Sequence, residues 1–204
     1  IRKNQGTGSK YFIMKNLITI SAPSGSGKTT LCKALQKVMT DIEWSTSYTT
    51  RSQRNIELDG VDYNFISHDE FEDLIVSQNL AEWENVHGFY YGTPKSTLEN
   101  AIEYDKTILL EMDVKGAIRI NELYPENSFS IFIIPPSIQH LRERLKNRGS
   151  DSDKRIEIRL QRFQQEMGYQ ERFDHVMINE DLNVATQELI NVVNELKVGV
   201  LNGS

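Results

Sequence analysis

Apolar and polar positions along this chain form short apolar runs, which are separated by longer segments with helical spacing. The mostly apolar runs predict buried strands at positions 17–21, 107–112, 129–134 and 175–178. Apolar residues that recur every three or four positions predict helices at 29–39, 96–104, 114–123, 137–148, 153–169 and 184–198. This alternation is typical of a parallel sheet with helices on both faces, so we predict an α/β core with three layers, α/β/α.

Positions 45–94 show a different pattern, in which short strands surround one helix. Strand character covers 44–54, 62–66, 80–86 and 89–92, and a capping serine followed by acidic residues predicts a helix over 67–78. We therefore predict a small mixed-β lobe at 45–94 that is inserted into the core.

The remaining boundaries follow from breaks in these patterns. A Gly-Ser break at 149–153 separates two arginine-bearing helices and predicts a helical lid over 140–169. The core is then expected to consist of 14–44, 95–139 and 170–204. Residues 1–13 contain Gly-Thr-Gly-Ser and are expected to be an added tag or a disordered extension.

A phosphate-binding motif lies between the first predicted strand and the first predicted helix. It consists of Ala22, Pro23, Ser24, Gly25, Ser26, Gly27, Lys28, Thr29 and Thr30. Small residues followed by Gly-Lys-Thr, with a strand before and a helix after, predict a P-loop whose backbone N–H groups surround phosphate oxygens. In this prediction Lys28 reaches the β- and γ-phosphates, and the Thr29 hydroxyl binds Mg²⁺. The first glycine of the usual pattern is Ala22 here.

Two carboxylates end the apolar strand at 107–112. Glu111 and Asp113 are spaced i, i+2, so both are expected at the carboxyl end of the strand, where α/β sheets bind ligands. This position is typical of a carboxylate that holds Mg²⁺ directly or through water. A solvent-exposed strand end is the alternative reading of the same two residues.

Three further groups of residues have chemistry that suits a second phosphate or a base. They are Ser47, Arg51, Arg54, Glu57 and Tyr63; Glu82 with Tyr91 and Thr93; and Arg144, Arg148 and Arg159. Paired arginines bind phosphate through charge-assisted hydrogen bonds, and a carboxylate accepts the N–H groups of a base. Taken alone, the first group also fits a basic surface patch, the second fits strand packing, and the third fits charge pairing on a helix surface.

Composition narrows the class of protein. The chain has 204 residues, 38% apolar and 25% charged, with a formal net charge of −6, which predicts a soluble cytoplasmic protein rather than a general nucleic-acid binder. No apolar run approaches the roughly 20 residues of a membrane helix, so no membrane partner is expected. Cys32 is the single cysteine, which fits a reducing compartment.

Taken together, six motifs resemble the guanylate kinase family from position 17 to the C-terminus. They lie at 21–28, 49–54, 60–65, 82–83, 90–93 and 144–149. The resemblance implies a P-loop fold with a GMP-binding lobe, and reversible Mg²⁺-dependent phosphoryl transfer from ATP to GMP and dGMP. It leaves monomer and homodimer open.

The resemblance also implies roles for individual residues. It implies that the GMP phosphate is bound by Arg51, Arg54, Tyr63 and Tyr91. It implies that the guanine is contacted by Ser47, Glu82 and Thr93, with Glu57 and Asp113 nearby. It implies that Arg144, Arg148 and Arg159 contact the ATP phosphates. It further implies that Asn179 and Glu180 contact the adenine and that Thr29 and Asp113 bind the metal. Catalysis falls to Lys28, Arg54, Arg148 and Arg159.

Two alternatives stay open at this point. A non-catalytic guanylate-kinase-like protein-binding module resembles the same fold, but such modules tend to lose P-loop and arginine residues that this chain retains. Another nucleoside-monophosphate kinase would share the P-loop. Only the residues predicted to bind the acceptor nucleotide distinguish such an enzyme from a guanylate kinase. Three positions depart from the family pattern: Thr93 where serine is also common, Glu111 where aspartate is frequent, and Lys115 where glutamine is often found.

Overall fold

The computed structural model describes residues 14–86, 88–147 and 152–198. The expectation for residues 1–13, the predicted catalytic residue Arg148 and most of the predicted break at 149–153 therefore lie outside the described residues. The strands are β1 Leu17–Ser21, β2 Glu43–Trp44, β3 Tyr48–Thr49, β4 Asn64–Phe65, β5 Leu80–Val86, β6 Phe89–Pro94, β7 Ile108–Glu111, β8 Ser128–Ile134 and β9 His175–Ile178. The helices are α1 Lys28–Val38, α2 His68–Val76, α3 Lys95–Glu103, α4 Val114–Leu123, α5 Ile138–Asn147, α6 Asp153–Met167 and α7 Leu182–Val198.

The larger sheet has five parallel strands in the order β2-β7-β1-β8-β9. Every residue of the central strand β1 is buried, which explains why its sequence is mostly apolar, with Thr19 and Ser21 as its two polar positions. Because all five strands run the same way, their carboxyl ends lie along one edge of the sheet. The loop after β1 and the acidic end of β7 therefore meet there, since β1 and β7 are direct neighbours.

Helices cover both faces of this sheet and confirm the predicted three layers. On one face, Leu31 and Leu35 of α1 pack with Leu189 and Val193 of α7. On the other face, a second cluster includes Leu98 of α3, Ala117 and Ile120 of α4, and the stacked rings of Phe132 and Phe173. Helices α5 and α6 pack against each other through Leu141, Leu145, Ile156, Leu160 and Phe163.

The segment predicted as one strand over 44–54 divides between two sheets, which corrects that prediction. Glu43–Trp44 pairs with β7 at the edge of the larger sheet, and Ser45 N donates to Leu109 O at 2.8 Å. Tyr48–Thr49 instead pairs with β4 and β6. Beyond it, the chain turns back through side-chain contacts of Glu57 rather than through strand pairing.

The smaller sheet has four strands in the order β4-β3-β6-β5, with parallel and antiparallel pairs. Helix α2 packs on it through Phe71, whose ring stacks on Tyr90 with centroids 5.3 Å apart. A capping box between Ser67 and Glu70 begins this helix, as its sequence predicts. Within the described residues, no helix is long and apolar enough to cross a membrane.

Candidate active site

The P-loop segment forms a turn between β1 and α1, with its small residues around the start of the helix. Helix α1 begins at Lys28 after Gly27, without a side-chain cap and without an acidic residue in its first turn. Its first N–H groups are therefore available to an anion. Gly27 has φ 91°, and a Cβ there would lie 2.6 Å from Asn179 Nδ2, so both conformation and space require glycine.

Lys28 and Thr29 contact the end of β7. Lys28 Nζ donates to Met112 O at 2.7 Å and lies 3.8 Å from Glu111 Oε1. Thr29 Oγ1 donates to the same Glu111 oxygen at 2.9 Å. The predicted meeting of the P-loop and the carboxylate strand end is therefore present, with a hydroxyl, a carboxylate and an ammonium group together at the carboxyl edge of the sheet.

The two predicted carboxylates have different surroundings. Glu111 contacts Thr29, whereas Asp113 is the N-cap of α4 and its Oδ1 accepts from Gly116 N at 2.7 Å. The carboxylate that lies beside the predicted metal-binding hydroxyl is thus Glu111, although the resemblance favoured Asp113. Helix capping accounts for the difference, because the Asp113 oxygen satisfies an otherwise unpaired N–H.

Arg144, for which a contact to the ATP phosphates is predicted, lines a cavity together with Gly25, Gly27 and Thr30 of the P-loop. Its Nη2 donates to the carbonyls of Asn179 at 2.7 Å and Glu180 at 3.1 Å. Asn179 is buried, and its Nδ2 donates to Ser26 O at 2.9 Å. These residues line that cavity of about 390 Å³ beside Gly27. Arg144 therefore braces the segment that was predicted to contact adenine.

A second charged network lies under the smaller sheet and centres on Arg51. Its guanidinium donates to both carboxylate oxygens of Glu57, at 3.0 and 2.9 Å, and to Ser52 O at 2.7 Å. The Arg51 Nε donates to the Tyr91 hydroxyl at 3.2 Å. Hydrogen bonds from Arg51 and Arg54 hold the pKa of Glu57 below its ordinary value. Glu57, which the resemblance placed near guanine, fixes the position of Arg51.

Tyr63 and Arg54 complete this network in different ways. The Tyr63 ring lies edge-on to Tyr91 with centroids 5.8 Å apart, and the Arg51 guanidinium lies over it at 5.4 Å. Burial is the main cause that raises the pKa of Tyr63 to about 12, so its hydroxyl stays protonated and can donate a hydrogen bond. Arg54 is only loosely paired with Glu57, at 3.8 Å, and its side chain is 70% exposed. It extends into solvent at the mouth of the network.

Glu82 is a largely buried carboxylate on β5. Its Oε1 accepts a hydrogen bond from Thr93 Oγ1 at 2.5 Å across the strand pair. Burial, and to a smaller extent the nearby Asp113 and Glu84, raises the pKa of Glu82 to about 7. The site therefore holds a carboxyl group that is near its titration point at neutral pH and has few partners of its own.

The central cavity joins these groups. It has a volume of about 190 Å³ and is lined by Lys28, Ser47, Tyr63, Glu82, Tyr91, Glu111 and Asp113, among others. An adjoining cavity of about 300 Å³ contains Thr29, Arg51, Arg54 and Glu57. Most of the residues predicted to bind GMP thus line two adjoining cavities, and the P-loop lysine lines the same cavity as the buried carboxylate.

Sequence reasoning missed one contact at the P-loop. Ser24 N donates to Glu166 Oε2 of α6 at 2.8 Å, and burial raises the pKa of this carboxyl. Arg162 and Lys28 oppose that shift. Arg159, a predicted catalytic residue, is half-buried on α6 seven positions before Glu166, on the same helical face. The sequence gave no indication of this contact, because Glu166 is one of many charged residues on this helix.

Comparison with known proteins identifies relatives over most of the chain. The profile of the family described as guanylate kinase matches residues 14–196. A guanylate kinase from Carboxydothermus hydrogenoformans is 40% identical over 182 residues, which are 89% of each protein. One from Salinibacter ruber is 37% identical over 182 residues, covering 89% of this chain and 96% of that protein. The crystal structure of guanylate kinase from Anaplasma phagocytophilum has a TM-score of 0.74 at 30% identity, covering 90% of this chain and 87% of that one.

Proposed function

The chain belongs to the guanylate kinase family, whose activity is phosphoryl transfer from ATP to GMP. We propose that this chain binds the two substrates of that reaction at two separate sites. The donor site comprises residues 22–30 with Glu111, Arg144, Asn179 and Glu180 and binds ATP. The acceptor site comprises Ser47, Arg51, Arg54, Glu57, Tyr63, Glu82, Tyr91, Thr93 and Asp113 and binds GMP or dGMP. One observation supports this division above all: Lys28 and Glu82 line the same cavity of about 190 Å³.

In the donor site, backbone N–H groups at the start of α1 hold the ATP phosphates, and Lys28 bridges toward the γ-phosphate. Its present contact to Met112 O keeps the ammonium group at the cavity wall, close to the phosphate position. Asn179 and Glu180 line the neighbouring cavity that receives adenine, and Arg144 fixes their backbone.

Magnesium suits the oxygen atoms present beside the P-loop. Thr29 Oγ1 and Glu111 Oε1 lie 2.9 Å apart, and hydroxyl and carboxylate oxygens are ligands that Mg²⁺ accepts together with phosphates and water. We assign these two residues to the ion, with Asp113 within reach through water. When bound, Mg²⁺ neutralises charge on the phosphates.

In the acceptor site, guanine is selected by Glu82. The N1–H and N2–H₂ groups of guanine form a pair of donors that a carboxylate accepts, whereas adenine offers no such pair. Thr93 orients the carboxylate through the 2.5 Å bond. A buried acceptor left unpaired is unfavourable, so the same group rejects other bases.

The acceptor phosphate binds at Arg51, with Tyr63, Tyr91 and Arg54. A phosphate monoester has a second pKa of about 6, so the attacking oxygen is already charged at neutral pH and needs no general base. The difficulty is repulsion between two anions. Lys28 and the arginines, including Arg148 and Arg159 by family resemblance, reduce it through position and charge.

A comparison of acceptors tests this proposal. The protein is incubated with ATP, Mg²⁺ and one of GMP, dGMP, AMP, CMP or UMP, and ADP release is measured. We expect turnover with GMP and dGMP at least 100-fold above the other three, an order of magnitude set by recognition of hydrogen-bonding groups. Activity with another acceptor would identify a different monophosphate kinase. No activity with any acceptor would support the non-catalytic module.

A further inference from the structure

Gly116 lies in the first turn of α4, directly behind the carboxylate of Glu82. An ideal Cβ built on Gly116 would lie 3.1 Å from Glu82 Oε2, 3.4 Å from Glu82 Cδ and 3.4 Å from Asp113 Oδ1. Even C–H···O contacts in proteins keep carbon and oxygen about 3.3–3.6 Å apart. The carboxylate of Glu82 therefore occupies space that a side chain at position 116 would need.

Other reasons for glycine at this position do not apply. Gly116 belongs to a right-handed helix, so no left-handed backbone conformation requires it. Its backbone N–H donates at 2.7 Å to Oδ1 of Asp113, the N-cap of the helix, and any residue except proline supplies that donor. Glycine inside a helix is less favourable than alanine. Helix stability thus favours a larger residue, and only the space for Glu82 favours glycine.

The carboxylate cannot move freely to avoid an added methyl group. Its Oε1 is held by the hydroxyl of Thr93 at 2.5 Å, and Thr93 is 1% exposed. The side of the carboxylate toward Asp113 carries a like charge, which already contributes to raising the Glu82 pKa. The remaining direction leads away from α4, into the central cavity that Glu82 and Gly116 both line.

We propose that Gly116 is a specificity-determining residue for the acceptor base, because its missing side chain sets the position of Glu82 Oε2 in the guanine pocket. This proposal rests on the proposed function, in which Glu82 accepts the two guanine donors. A displaced Oε2 loses alignment with one donor while the other oxygen stays on Thr93. The effect of a substitution should therefore fall on recognition of the base rather than on phosphoryl transfer.

The substitution Gly116→Ala tests the proposal, with GMP and inosine monophosphate as acceptors. Inosine monophosphate lacks the N2 amino group and so offers Glu82 one donor instead of two. We expect KM for GMP to rise about tenfold, the lower end of the loss expected when a hydrogen bond to a charged group is weakened. We expect kcat and KM for ATP to stay within about twofold. The preference for GMP over inosine monophosphate should fall by several fold, a change that a general loss of structure does not produce.

Gly168→Ala is the matched control, because Gly168 also has a right-handed backbone, with φ −62°, and ends α6. It adds the same methyl group outside the central cavity and should leave the base preference unchanged. Thermal unfolding should show Gly116→Ala folded, with a melting temperature near that of the wild type, because the gain in helix propensity offsets the close contact with Glu82.

A double-mutant cycle with Glu82→Ala provides the second measurement. Without the carboxylate, Gly116→Ala should change KM for GMP by less than about twofold, whereas independent sites would show the full single-mutant effect again. An unchanged KM and base preference in Gly116→Ala, or full additivity in the cycle, overturns the role of Gly116. Absence of GMP phosphorylation by the wild type would overturn the proposed function instead.

Discussion

The proposed donor and acceptor sites are built from different parts of the chain. The P-loop is one continuous segment at the end of β1, and it offers a phosphate the backbone N–H groups at the start of α1 and one lysine. The acceptor site is assembled from side chains on β5, β6 and the loops around β3 and β4. Backbone donors recognise any phosphate, whereas side chains with fixed partners can distinguish bases. We therefore expect substitutions in the donor site to affect rate, and those in the acceptor site to affect selection.

The substitution Lys28→Met should have the largest effect. Lys28 is the cation at the P-loop that faces the central cavity, and its loss leaves the transferring phosphoryl group without that charge. We expect kcat to fall about 10³-fold or more, as for other charge-stabilising groups in phosphoryl transfer. KM for GMP should change little, and both constants come from steady-state assays of ADP release.

Lys37→Met is the control for that variant, since Lys37 lies in the last turn of the same helix and is exposed. It should retain wild-type kcat. A comparable loss in Lys37→Met, or a Lys28 effect confined to KM for GMP, would contradict the division between rate and selection.

Glu82→Gln should show the opposite pattern. The neutral amide keeps the shape of the side chain but presents one oxygen and one N–H₂ group to a pair of guanine donors. We expect KM for GMP to rise about 100-fold with KM for ATP unchanged, because a mispaired buried polar group is unfavourable. Glu84→Gln, two positions along the same strand, is the control and should have near-normal KM. An unchanged KM in Glu82→Gln would remove the basis for guanine selection.

Arg51→Lys examines how strongly the acceptor site depends on fixed geometry. Arg51 uses its planar guanidinium to contact both oxygens of Glu57 and the Tyr91 hydroxyl together. A lysine retains the charge but not this set of directions. We expect KM for GMP to rise about tenfold to thirtyfold, from the loss of charge-assisted hydrogen bonds. If Lys at position 51 supports a normal KM, charge alone accounts for phosphate binding at this site.

The pH dependence of GMP binding should separate the two sites without a mutation. The pKa of Glu82 is raised to about 7 mainly by burial, and guanine requires the ionised form. Lowering the pH from about 8 to about 6 should therefore raise KM for GMP about tenfold, while KM for ATP changes less. The phosphate of GMP also ionises near pH 6 and contributes to the pH dependence of KM. The pH dependence of KM in Glu82→Gln shows the contribution of the phosphate alone.

The same carboxyl group should link stability to pH. Its pKa is higher in the folded protein than the ordinary value of 4.5, so the folded state keeps a proton that the unfolded state has released. Ionisation of the buried group then destabilises the fold. The melting temperature of the wild type should fall relative to that of Glu82→Gln as the pH rises from 4.5 to about 7 and should then level off, and a parallel pair of curves would contradict the raised pKa.

The comparison also explains what the sequence could and could not predict. The core sheet and the P-loop were predictable because apolar runs and the Gly-Lys-Thr segment are local patterns, and the structure contains both. The family resemblance is confirmed by the relatives. The split of 44–54 between two sheets was not predictable, because strand pairing with β7 or β6 is decided by distant residues.

Side-chain partners were the least accessible from sequence. Glu57 and Arg51 are close along the chain, yet nothing in their spacing shows that Glu57 binds arginine rather than lies near a base. The space behind Glu82 depends on how Gly116 of α4 packs against β5. Such contacts arise from tertiary packing, and one sequence contains no periodic signal for them.

Glu166→Gln should have the smallest effect and concerns the donor site alone. The Glu166 carboxylate accepts from Ser24 N at 2.8 Å, so a negative charge lies against a backbone donor of the P-loop. ATP phosphates approaching this N–H meet a like charge, which glutamine removes while it keeps a hydrogen-bond acceptor. We expect KM for ATP to fall about twofold to threefold, the scale of a partly exposed charge interaction, with KM for GMP unchanged. Glu171→Gln alters the net charge equally at an exposed position and should leave both constants unchanged. A rise in KM for ATP in Glu166→Gln would mean that the carboxylate supports the P-loop or positions Arg162, and that donor-site recognition also depends on a side chain.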